Sequence, residues 1–387
     1  MTSLSNSALK ILFHIRSLNI GGAERQVVGI SKELTRMGHN VQVAVVSEGG
    51  ALESELAESP AIQFHVIGGN GILGKFQYLW KLRSLISRER FDVVYGFLPV
   101  PNLATLVARS TRPRPAIVWG IRSSGLDFKQ YSARVKWTMR LEKWLSPLTD
   151  LAITNSGTAR AEYVAKGFSG SKTHHIPNTI DADRFSPDPS IREVVRNDLG
   201  INSEEHLIGI FARIHPMKDF ENFLRGASVA LKQMPTLKFV CAGHYDEHDS
   251  YFGSIRRLSE ELGIAGRISW TGPVVEPERL MNACDITTLT SDSGEGFPNS
   301  VAESMACGIP CVVTDIGDSA LIVDDPEKVV DPKNPDQLAK AWISTIKNIS
   351  ESKNKPEQLR SSIISRFSPE SIATRTAELL GSVTGKN

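Results

Sequence analysis

The class of fold is indicated by residues 10–47, KILFHIRSLNIGGAERQVVGISKELTRMGHNVQVAVVS. It begins with an apolar run at Lys10–Arg16, continues with an amphipathic helical pattern over Ala23–Met37, and ends with a second apolar run at Val41–Ser47. Two strands separated by a helix pair in parallel, because a parallel pair needs a crossover connection of this length. The stretch therefore predicts one β-α-β unit of a parallel sheet.

The same alternation of apolar runs and helical patterns continues along the chain. The first half adds helices at Lys75–Glu89 and Ser132–Leu145 and strands at Ile62–Ile67, Phe91–Phe97, Ala116–Ile121 and Leu151–Asn155. The second half begins a new series of strands at Leu207–Ala212, Leu237–Cys241, Arg267–Thr271, Asp285–Thr290 and Pro310–Thr314. Two such series predict an α/β protein with two doubly wound, Rossmann-like parallel-sheet domains.

Turn-forming residues separate the two series. The segment PNTIDADRFSPDP (Pro177–Pro189) contains three prolines and no amphipathic period, which is typical of a linker. We therefore predict an N-terminal domain over residues 1–180, a linker over 181–190 and a C-terminal domain over 191–368. A final helix over 369–381 is able to pack back onto the N-terminal domain.

The composition is typical of a globular enzyme, with 41% apolar and 22% charged residues. No run without a charge exceeds 16 residues, and Val93–Ala108, a run of that length, includes prolines, so no membrane-spanning helix is expected. No basic cluster precedes the first apolar stretch, so no secretory signal is expected, and four cysteines suit a reducing compartment. These features predict a cytoplasmic protein.

Charge is distributed unevenly along the chain. Residues 1–185 hold 23 Lys and Arg against 14 Asp and Glu, a formal charge of +9, whereas residues 186–387 carry −8. Within the basic half, Lys75–Arg90 and Tyr131–Leu148 combine tryptophans with basic residues, as do helices that lie on anionic membranes. The alternatives are apolar stripes that face the core and ordinary surface variation in charge. We see no nucleic-acid-binding motif and expect no nucleic-acid partner.

Two segments of the second half carry residues suited to binding a diphosphate and a sugar. Arg213 and Lys218 lie just after a predicted strand, where two cations can converge on one diphosphate. The segment SDSGEGFPNSVAE (Ser291–Glu303) runs from a strand through a glycine-rich loop into a helix. Its Glu295 can accept hydrogen bonds from sugar hydroxyls, and Glu303 can do the same for a ribose. The alternatives are a general acid–base pair and acids that stabilise the start of a helix.

A glycine pair, Gly21-Gly22, precedes the first helical pattern. Glycines let the backbone approach a ligand closely, and a helix N-terminus presents N–H groups to an anion. The dinucleotide-binding fingerprint and the P-loop pattern are both missing from this stretch. A plain tight turn therefore remains the alternative.

Together these motifs resemble those of glycosyltransferase family 4, whose members have the two-domain GT-B fold. GEGFPNSVAESMACGIPCVVTD (residues 294–315) is similar to the family's Glu-x7-Glu element, and IFARIHPMKDFENFLRGA (residues 210–227) to its Arg…Lys phosphate loop. LNIGGAERQV (residues 18–27) resembles its N-terminal glycine loop, and TNSGTARAEYVAKG…HHIPNTIDADRF (residues 154–185) two further stretches. The motifs stand in the family's order and span roughly residues 10–380.

The resemblance implies a site, residue by residue. Arg213 and Lys218 would hold the donor diphosphate and Glu295 would contact the donor sugar, and these three are the expected catalytic residues. The expected donor-binding residues are Gly22, Val274, Val275, Gly296, Phe297, Pro298, Asn299, Ser300 and Glu303. The expected residues on the acceptor side are Glu24, Arg25 and Arg122.

The resemblance also implies the chemistry. A hexosyl or N-acetylhexosaminyl group would pass, with retention, from a UDP- or GDP-sugar to a glycan or lipid-linked acceptor, in the assembly of a cell-surface polysaccharide. No metal and no cofactor are expected, since the leaving phosphate assists the incoming hydroxyl while the protein supplies positioning and charge. A nucleotide-sugar epimerase of the same fold and a non-catalytic sugar-nucleotide sensor are the alternatives. Apart from its substrates, the expected partner is an anionic membrane, which the protein would contact peripherally at the inner face.

Two positions depart from the family pattern. Many members carry a histidine, facing the donor sugar, at the end of the fifth strand of the first domain, where AIVWGIRSSG (residues 116–125) has Arg122. The glycine of the family's Asn-Gly-Ile-Asp stretch is replaced by Thr179, which we expect to alter only the linker turn. Two other patterns imitate metal sites, Asp181-Ala182-Asp183 and His244…His248, and we expect no metal at either.

Overall fold

The computed structural model describes residues 8–19, 21–69, 71–122, 133–350 and 355–385. It divides into two compact units. The first unit extends to Thr179 and also includes the chain from Pro369 onward, and the second unit is Ile180–Ser368.

Each unit contains one parallel β-sheet. The strands of the first unit are β1 (Lys10–Ile15), β2 (Asn40–Val45), β3 (Gln63–Val66), β4 (Val93–Phe97), β5 (Ala116–Ile121), β6 (Leu151–Thr154) and β7 (Thr173–His175). The strands of the second unit are β8 (His206–Phe211), β9 (Leu237–Ala242), β10 (Ile268–Gly272), β11 (Ile286–Leu289), β12 (Cys311–Thr314) and β13 (Val329–Val330).

Helices connect the strands. The first six are α1 (Gly22–Arg36), α2 (Glu53–Ala57), α3 (Gly71–Glu89), α4 (Pro99–Ala104), α5 (Ala133–Leu145) and α6 (Gly157–Ala165). The others are α7 (Pro189–Asp198), α8 (Phe220–Gln233), α9 (Ser250–Glu261), α10 (Pro277–Ala283), α11 (Asn299–Ala306), α12 (Ser319–Val323), α13 (Pro335–Ser350), α14 (Pro356–Phe367) and α15 (Pro369–Thr384). Among the residues described, no helix is both long enough and apolar enough to cross a bilayer.

The sheet of the first unit has the strand order β3-β2-β1-β4-β5-β6-β7, and the pairings are parallel. Successive residues of β1 face opposite sides of this sheet: Ile11 and Phe13 belong to one hydrophobic cluster and Leu12 to another. Because crossover helices cover a parallel sheet on both faces, its strands are apolar throughout rather than alternating. This is why the strands stand out in the sequence as continuous apolar runs.

The second sheet has the order β10-β9-β8-β11-β12-β13, again with parallel pairing. The predicted α/β class with two Rossmann-like domains is therefore confirmed. Each strand predicted from the sequence is present, with ends within two residues of those expected. The prediction missed two short edge strands, β7 and β13, because three and two residues are too few to form a recognisable apolar run.

The final helix contributes to the core of the first unit, and the expected linker contributes to the core of the second unit. In α15, Ile372, Ala373 and Leu380 are buried in the core of the first unit. In the expected linker, Phe185 is buried in the second unit, in the same hydrophobic cluster as Ile180. Serine 132, the first residue of one predicted helix, lies outside the described residues, and the helix itself is α5.

Candidate functional site

The candidate site of the second unit lies where the strand order reverses. β8 and β11 are neighbours, and the chain proceeds outward from β8 to β9 and β10 on one side and from β11 to β12 and β13 on the other. At such a switch point, connections leave two adjacent strands in opposite directions and open a crevice at their carboxyl ends. Arg213 and Lys218 follow β8, and Glu295 follows β11.

The loop after β8 positions Lys218 through its backbone. Pro216–Lys218 form one turn of 3-10 helix, and the Thr290 hydroxyl donates to the carbonyl of Lys218 at 2.8 Å. The next residue, Asp219, adopts a left-handed conformation (φ 45°), which aspartate tolerates better than most residues. Its carboxylate accepts the Asn222 N–H at 3.1 Å and so caps α8. These contacts keep the lysine beside the end of β11.

Lys218 and Glu295 form an ion pair across the switch point. The lysine Nζ donates to Glu295 Oε1, and the same oxygen accepts a hydrogen bond from the Ser291 hydroxyl at 2.5 Å. The side chains of the pair are only 16% and 8% exposed. Because an ammonium group has three N–H donors, the pair leaves donors on Lys218 for an anion. The structure therefore brings together Lys218, the residue expected to bind phosphate, and Glu295, the residue expected to bind the sugar.

Two glycines allow the loop that carries Glu295 to pack tightly. Gly294 has φ 74°, and a Cβ there would lie 2.1 Å from Met217 Cε. Gly317 has φ 63°, and a Cβ there would lie 2.6 Å from the carbonyl oxygen of Gly296. Both positions combine a left-handed backbone with a close approach, and glycine satisfies both requirements. The loop is thereby packed between the β8 loop and the turn after β12.

Arg213 borders the same loop without joining the ion pair. It is exposed, and its Nη2 lies 3.8 Å from the sulfur of Met217, the residue that packs against Gly294. His215 Nδ1 accepts the Met217 N–H at 3.3 Å, which holds this turn together. Burial, and then the charges of Arg213 and Lys218, lower the pKa of His215, so its imidazole is neutral at neutral pH. The positive charge of this turn therefore comes from Arg213 and Lys218 rather than from His215.

The side chain of Phe297 belongs to the core. It is buried, and its ring packs edge to face against Phe367 with 5.0 Å between the ring centroids. Any contact that Phe297 makes with a ligand would therefore come from its backbone. Gly296 and Pro298 flank it and are also buried, and the carbonyl of Gly296 accepts the Asp318 N–H at 2.9 Å.

The helix α11 begins directly after this loop. Asn299 is its first residue, Ser300 its second, and Glu303 lies one turn later, half-buried. The N–H groups and the dipole at a helix N-terminus favour a nearby negative charge. The fold thus places a third source of positive potential next to Glu295 in the chain.

Val274 and Val275 lie away from the ion pair, in the loop after β10. β9 separates β10 from β8, so at normal strand spacing β10 lies about 10 Å from β8. Val274 is half-buried, whereas Val275 is 76% exposed and its carbonyl accepts from Arg184 at 3.1 Å.

The first unit has its own switch point, between β1 and β4. The helix after β1 begins at Gly22, and its N-cap residue Gly21 supplies no side-chain cap. Glu24 and Arg25 occupy the first turn. The Glu24 carboxylate folds back toward Gly21, and burial raises the pKa of this carboxyl group. The expected glycine loop is therefore an extended turn leading into a helix N-terminus.

Arg122 directly follows β5 in the same unit. Its Nη1 donates to Asn178 Oδ1 at 3.0 Å and its Nη2 to the Tyr95 hydroxyl at 3.3 Å. The guanidinium carbon lies 4.5 Å from the centre of the Phe97 ring, in cation–π geometry. Tyr95 and Phe97 belong to β4, so Arg122 lies over the carboxyl ends of β4 and β5.

Thr179 does more than shape a linker turn. Its N–H and hydroxyl both donate to Gln26 Oε1, at 2.6 and 3.1 Å, and its carbonyl accepts from Gln26 Nε2 at 2.9 Å. Since Asn178 holds Arg122, residues 178 and 179 link Arg122 to the first turns of α1. The expectation that Thr179 alters only the linker turn was wrong, because its side chain takes part in this network.

Among the residues that sequence reasoning did not select, Ser291, Tyr95 and Asn178 have side chains that hydrogen-bond to side chains of expected site residues. Ser291 was the first residue of the Glu295 segment, and Asn178 was part of the motif before the expected linker. Tyr95 gave no signal, because an aromatic residue in a buried strand is an ordinary core residue.

The two patterns that imitate metal sites are accounted for by local structure. The Asp181 carboxylate accepts the backbone N–H groups of Asp183 and Arg184, at 3.1 and 3.0 Å, so it closes a turn. The Asp246 carboxylate accepts the His248 N–H at 2.9 Å in a similar turn. Within the described ranges, no three His, Cys, Asp or Glu side chains are grouped as a metal site requires.

Comparison with known families covers both units. Residues 20–184 match the model of Glycosyltransferase Family 4, and residues 191–363 match that of Glycosyl transferases group 1. The chain belongs to glycosyltransferase family 4. The expected site residues of both units fall within the two matched ranges.

The individual relatives share only about a quarter of their residues with this chain. The chain is 26% identical over 255 residues to EpsD of Bacillus subtilis (strain 168), which is named provisionally as a glycosyltransferase, and the match covers 64% of this chain and 65% of EpsD. It is 23% identical over 384 residues to one component of the Phosphatidylinositol N-acetylglucosaminyltransferase of Arabidopsis thaliana, covering 92% of this chain and 78% of that protein.

Solved structures agree on the fold. The crystal structure of Anabaena Alr3699/HepE in complex with UDP-glucose has a TM-score of 0.82 to this chain, with 23% identity, and covers 97% of this chain and 100% of that one. The predicted GT-B fold of the family 4 member is thereby confirmed.

Proposed function

We propose that the protein is a retaining glycosyltransferase that moves a hexosyl or N-acetylhexosaminyl group from a UDP- or GDP-sugar to a glycan or lipid-linked acceptor. We assign it to the assembly of a cell-surface polysaccharide. Both units of the chain match glycosyltransferase family models, and the proposal gives the whole chain the activity of that family.

The observation that carries the proposal is the ion pair at the switch point of the second unit. Lys218 keeps N–H donors beyond the one given to Glu295, and Arg213 borders the same loop. An anion held there would meet two cations and the N-terminus of α11. Beside it, the Glu295 carboxylate can accept sugar hydroxyls. A nucleotide diphosphate that carries a sugar matches this arrangement, because its phosphates would meet the cations and its sugar hydroxyls would meet the carboxylate.

The relatives support the choice of donor and acceptor. HepE has been crystallised with UDP-glucose, which favours a UDP-sugar here. The Arabidopsis relative is named for transfer of N-acetylglucosamine to phosphatidylinositol, which favours a lipid-linked acceptor. The first unit, with its glycine loop and Arg122, would then face the acceptor.

In the proposed mechanism, the protein stabilises charge more than it forms bonds. As the bond between the sugar and the diphosphate breaks, negative charge grows on the leaving phosphate. Arg213 and Lys218 would stabilise that charge, since cations fixed in advance act most strongly on a developing anion. The leaving phosphate would assist the incoming hydroxyl on the same face of the sugar, which gives retention. No metal is required in this scheme, so activity should persist in the presence of a chelator.

The test begins with binding of UDP- and GDP-sugars, measured by thermal stabilisation. A ligand at 100 times its dissociation constant should raise stability by about 2.7 kcal/mol. With the donor that binds, Lys218→Ala should lower the transfer rate roughly tenfold to a hundredfold, because a charge-assisted hydrogen bond contributes about 1.5–3 kcal/mol. Lys232→Ala, an exposed lysine on α8, is the matched control and should keep the full rate.

Two outcomes would contradict this assignment. An unchanged rate in Lys218→Ala, with circular dichroism showing an intact fold, would remove the phosphate role. Conversion of the donor alone to an isomeric nucleotide sugar, without any acceptor, would show an epimerase instead.

We also propose that α5 contacts the inner face of an anionic membrane. Trp137 and Trp144 are 68% and 76% exposed on this helix, so they do not pack into the core as the alternative required. Arg140 and Lys143 are exposed on the same helix, and Trp80 of α3 is 68% exposed. Tryptophans combined with basic residues are typical of surfaces that lie on anionic lipid.

Vesicle flotation tests the membrane contact. The protein should float with vesicles of phosphatidylcholine and phosphatidylglycerol at low salt, and less with phosphatidylcholine alone or at high salt. The double variant Trp137→Ala, Trp144→Ala should float several-fold less, whereas Val194→Ser, an exposed apolar position on α7, should behave as the wild type. Equal recovery with both kinds of vesicle would contradict the proposal.

A further inference from the structure

Arg122 is a partly buried cation that has neutral partners. Among the described residues, its side chain contacts the amide of Asn178, the hydroxyl of Tyr95 and the ring of Phe97. Among the residues that the structure describes, no Asp or Glu forms an ion pair with Arg122. A guanidinium withdrawn from water normally has an anionic partner, because desolvation of a charge is costly unless an opposite charge compensates it.

The unused edge of the guanidinium has the geometry of an anion ligand. Nε is buried and has no hydrogen-bond partner in the described part of the chain, while the adjacent Nη2 has only the 3.3 Å contact with Tyr95. The N–H groups of an arginine form a planar fork that matches the two oxygens of a carboxylate or phosphate. Burial lowers the pKa of Arg122, and interaction with Tyr95 opposes this change only in part.

A second polar group lies beside Arg122. The register of β5 and β6 pairs Ile121 with Thr154, so the next residues, Arg122 and Asn155, are neighbours across the two strands. The Asn155 N–H donates to the Ile121 carbonyl at 3.2 Å. Asn155 is only 5% exposed, and its Oδ1 has no partner among the described residues. A buried amide oxygen of this kind is suited to accept a hydrogen bond from a hydroxyl.

The place of these residues in the fold also suits a ligand. Arg122 and Asn155 lie at the carboxyl edge of the first sheet, the edge at which open α/β sheets bind ligands. The hydrogen bonds from Thr179 to Gln26 connect this group to the helix that follows β1. Arg122 is therefore linked through Asn178 and Thr179 to α1, and Asn155 lies beside it at the ligand-binding edge of the unit.

We propose that Arg122 and Asn155 bind an oxyanion borne by a sugar, with the guanidinium holding the oxyanion and the amide accepting a sugar hydroxyl. The sugar substrate handled by the first unit would then be an acidic one, a sugar carboxylate or a sugar phosphate. The identification of this ligand as a substrate rests on the proposed function, whereas the binding itself does not.

The experiment measures binding of small probes to the full-length protein by ligand-observed NMR. The probes are glucuronate for the carboxylate, glucose 6-phosphate for the phosphate, and glucose as the neutral reference. We expect one of the two anions to bind at least about tenfold more tightly than glucose, because the charged hydrogen bonds supply the difference. The anion that binds identifies the source of the oxyanion.

Variants assign the binding to Arg122. Arg122→Gln should abolish the preference for the anion over glucose, and Arg122→Lys should retain part of it, since a lysine keeps the charge but loses the planar fork. Arg83→Gln, an exposed arginine of the same unit, is the control and should bind as the wild type. Thermal melting of each variant checks that the unit remains folded, and Arg122→Lys provides the test if Arg122→Gln does not fold.

A UDP titration separates this inference from the proposed function. UDP should bind Arg122→Gln normally and Lys218→Ala weakly. If UDP fails to bind the wild type, the proposed donor site is wrong while the anion result still stands. The inference is overturned if neither anion binds better than glucose, if the preference survives in Arg122→Gln, or if Arg122→Gln loses UDP as Lys218→Ala does, since the oxyanion would then be the donor diphosphate.

Discussion

At the scale of single residues, the candidate donor site depends on side chains that constrain one another. Lys218 and Ser291, from two different loops, both donate to one carboxylate oxygen of Glu295. Pairing compensates the cost of keeping these charges out of water. The same pairing means that a donor sugar would have to compete with Lys218 for the oxygens of Glu295.

Because of this competition, we expect Glu295→Ala to affect the transfer rate and the affinity for UDP differently. The variant should lower transfer at least about tenfold, because a hydrogen bond to a charged group contributes about 1.5–3 kcal/mol. UDP affinity should be kept or increased, since Lys218 no longer gives a donor to the carboxylate. Transfer rates and UDP titrations on the same samples make the comparison. A collapse of UDP affinity would show that Glu295 serves the nucleotide rather than the sugar.

At the scale of elements, α5 presents different chemistry on its two sides. Trp137 and Trp144 are exposed, whereas Glu142, between them in sequence, is 2% exposed. Asn102 of α4 donates to the Glu142 carboxyl at 2.6 Å, and its amide also donates to the Gly120 carbonyl of β5. One buried acid thus connects the tryptophan-bearing helix to the sheet. The sequence pattern suggested an amphipathic helix but could not show that its aromatic side faces outward.

Burial raises the pKa of Glu142 from 4.5 to about 7. A raised pKa means that the folded state holds the proton more tightly than the unfolded state, so this contribution to stability is complete below about pH 4.5 and is lost as the pH rises through 7. Glu142→Gln, which stays neutral, should therefore stabilise the protein at pH 8 by up to about 3 kcal/mol and have little effect at pH 4.5.

Thermal unfolding at the two pH values measures this effect. Glu58→Gln, a change at an exposed carboxylate of the same unit, is the control and should alter stability by less than about 0.5 kcal/mol at either pH. A stability gain for Glu142→Gln that is equal at pH 4.5 and pH 8 would rule out the titration as its cause.

At the scale of the whole molecule, the final helix, α15, belongs to the first unit although the second unit precedes it in the chain. Helix α15 buries Leu380 in a core formed by strands that lie more than 220 residues earlier in the sequence. Leu380→Ala should therefore destabilise the first unit by about 2–5 kcal/mol, the usual cost of such a cavity.

Hydrogen exchange resolved by segment measures where this destabilisation falls. The strands β1–β4 should exchange faster in Leu380→Ala, while β8–β12 should be unchanged. Leu321→Ala, at an exposed position on α12, should alter neither unit. Equal acceleration of exchange in both sheets would show that the two units unfold together rather than separately.

The sequence alone was sufficient for the α/β class, for the strands of both sheets except β7 and β13, and for the order of the family motifs. The physical reason is that strands buried on both faces must be apolar throughout, and that glycine-rich loops at strand ends need particular residues locally. Both requirements are visible in a short window of sequence.

Contacts between side chains that are distant in sequence became visible in the folded structure alone. The pairing of Lys218 with Glu295, the neutral surroundings of Arg122 and the outward tryptophans of α5 each depend on residues far apart in the chain. Such contacts follow from strand order and register, which place the carboxyl ends of strands side by side irrespective of their separation in sequence. A local pattern contains no information about that neighbourhood, so it indicated which residues were chemically suited to a site but not which of them would touch.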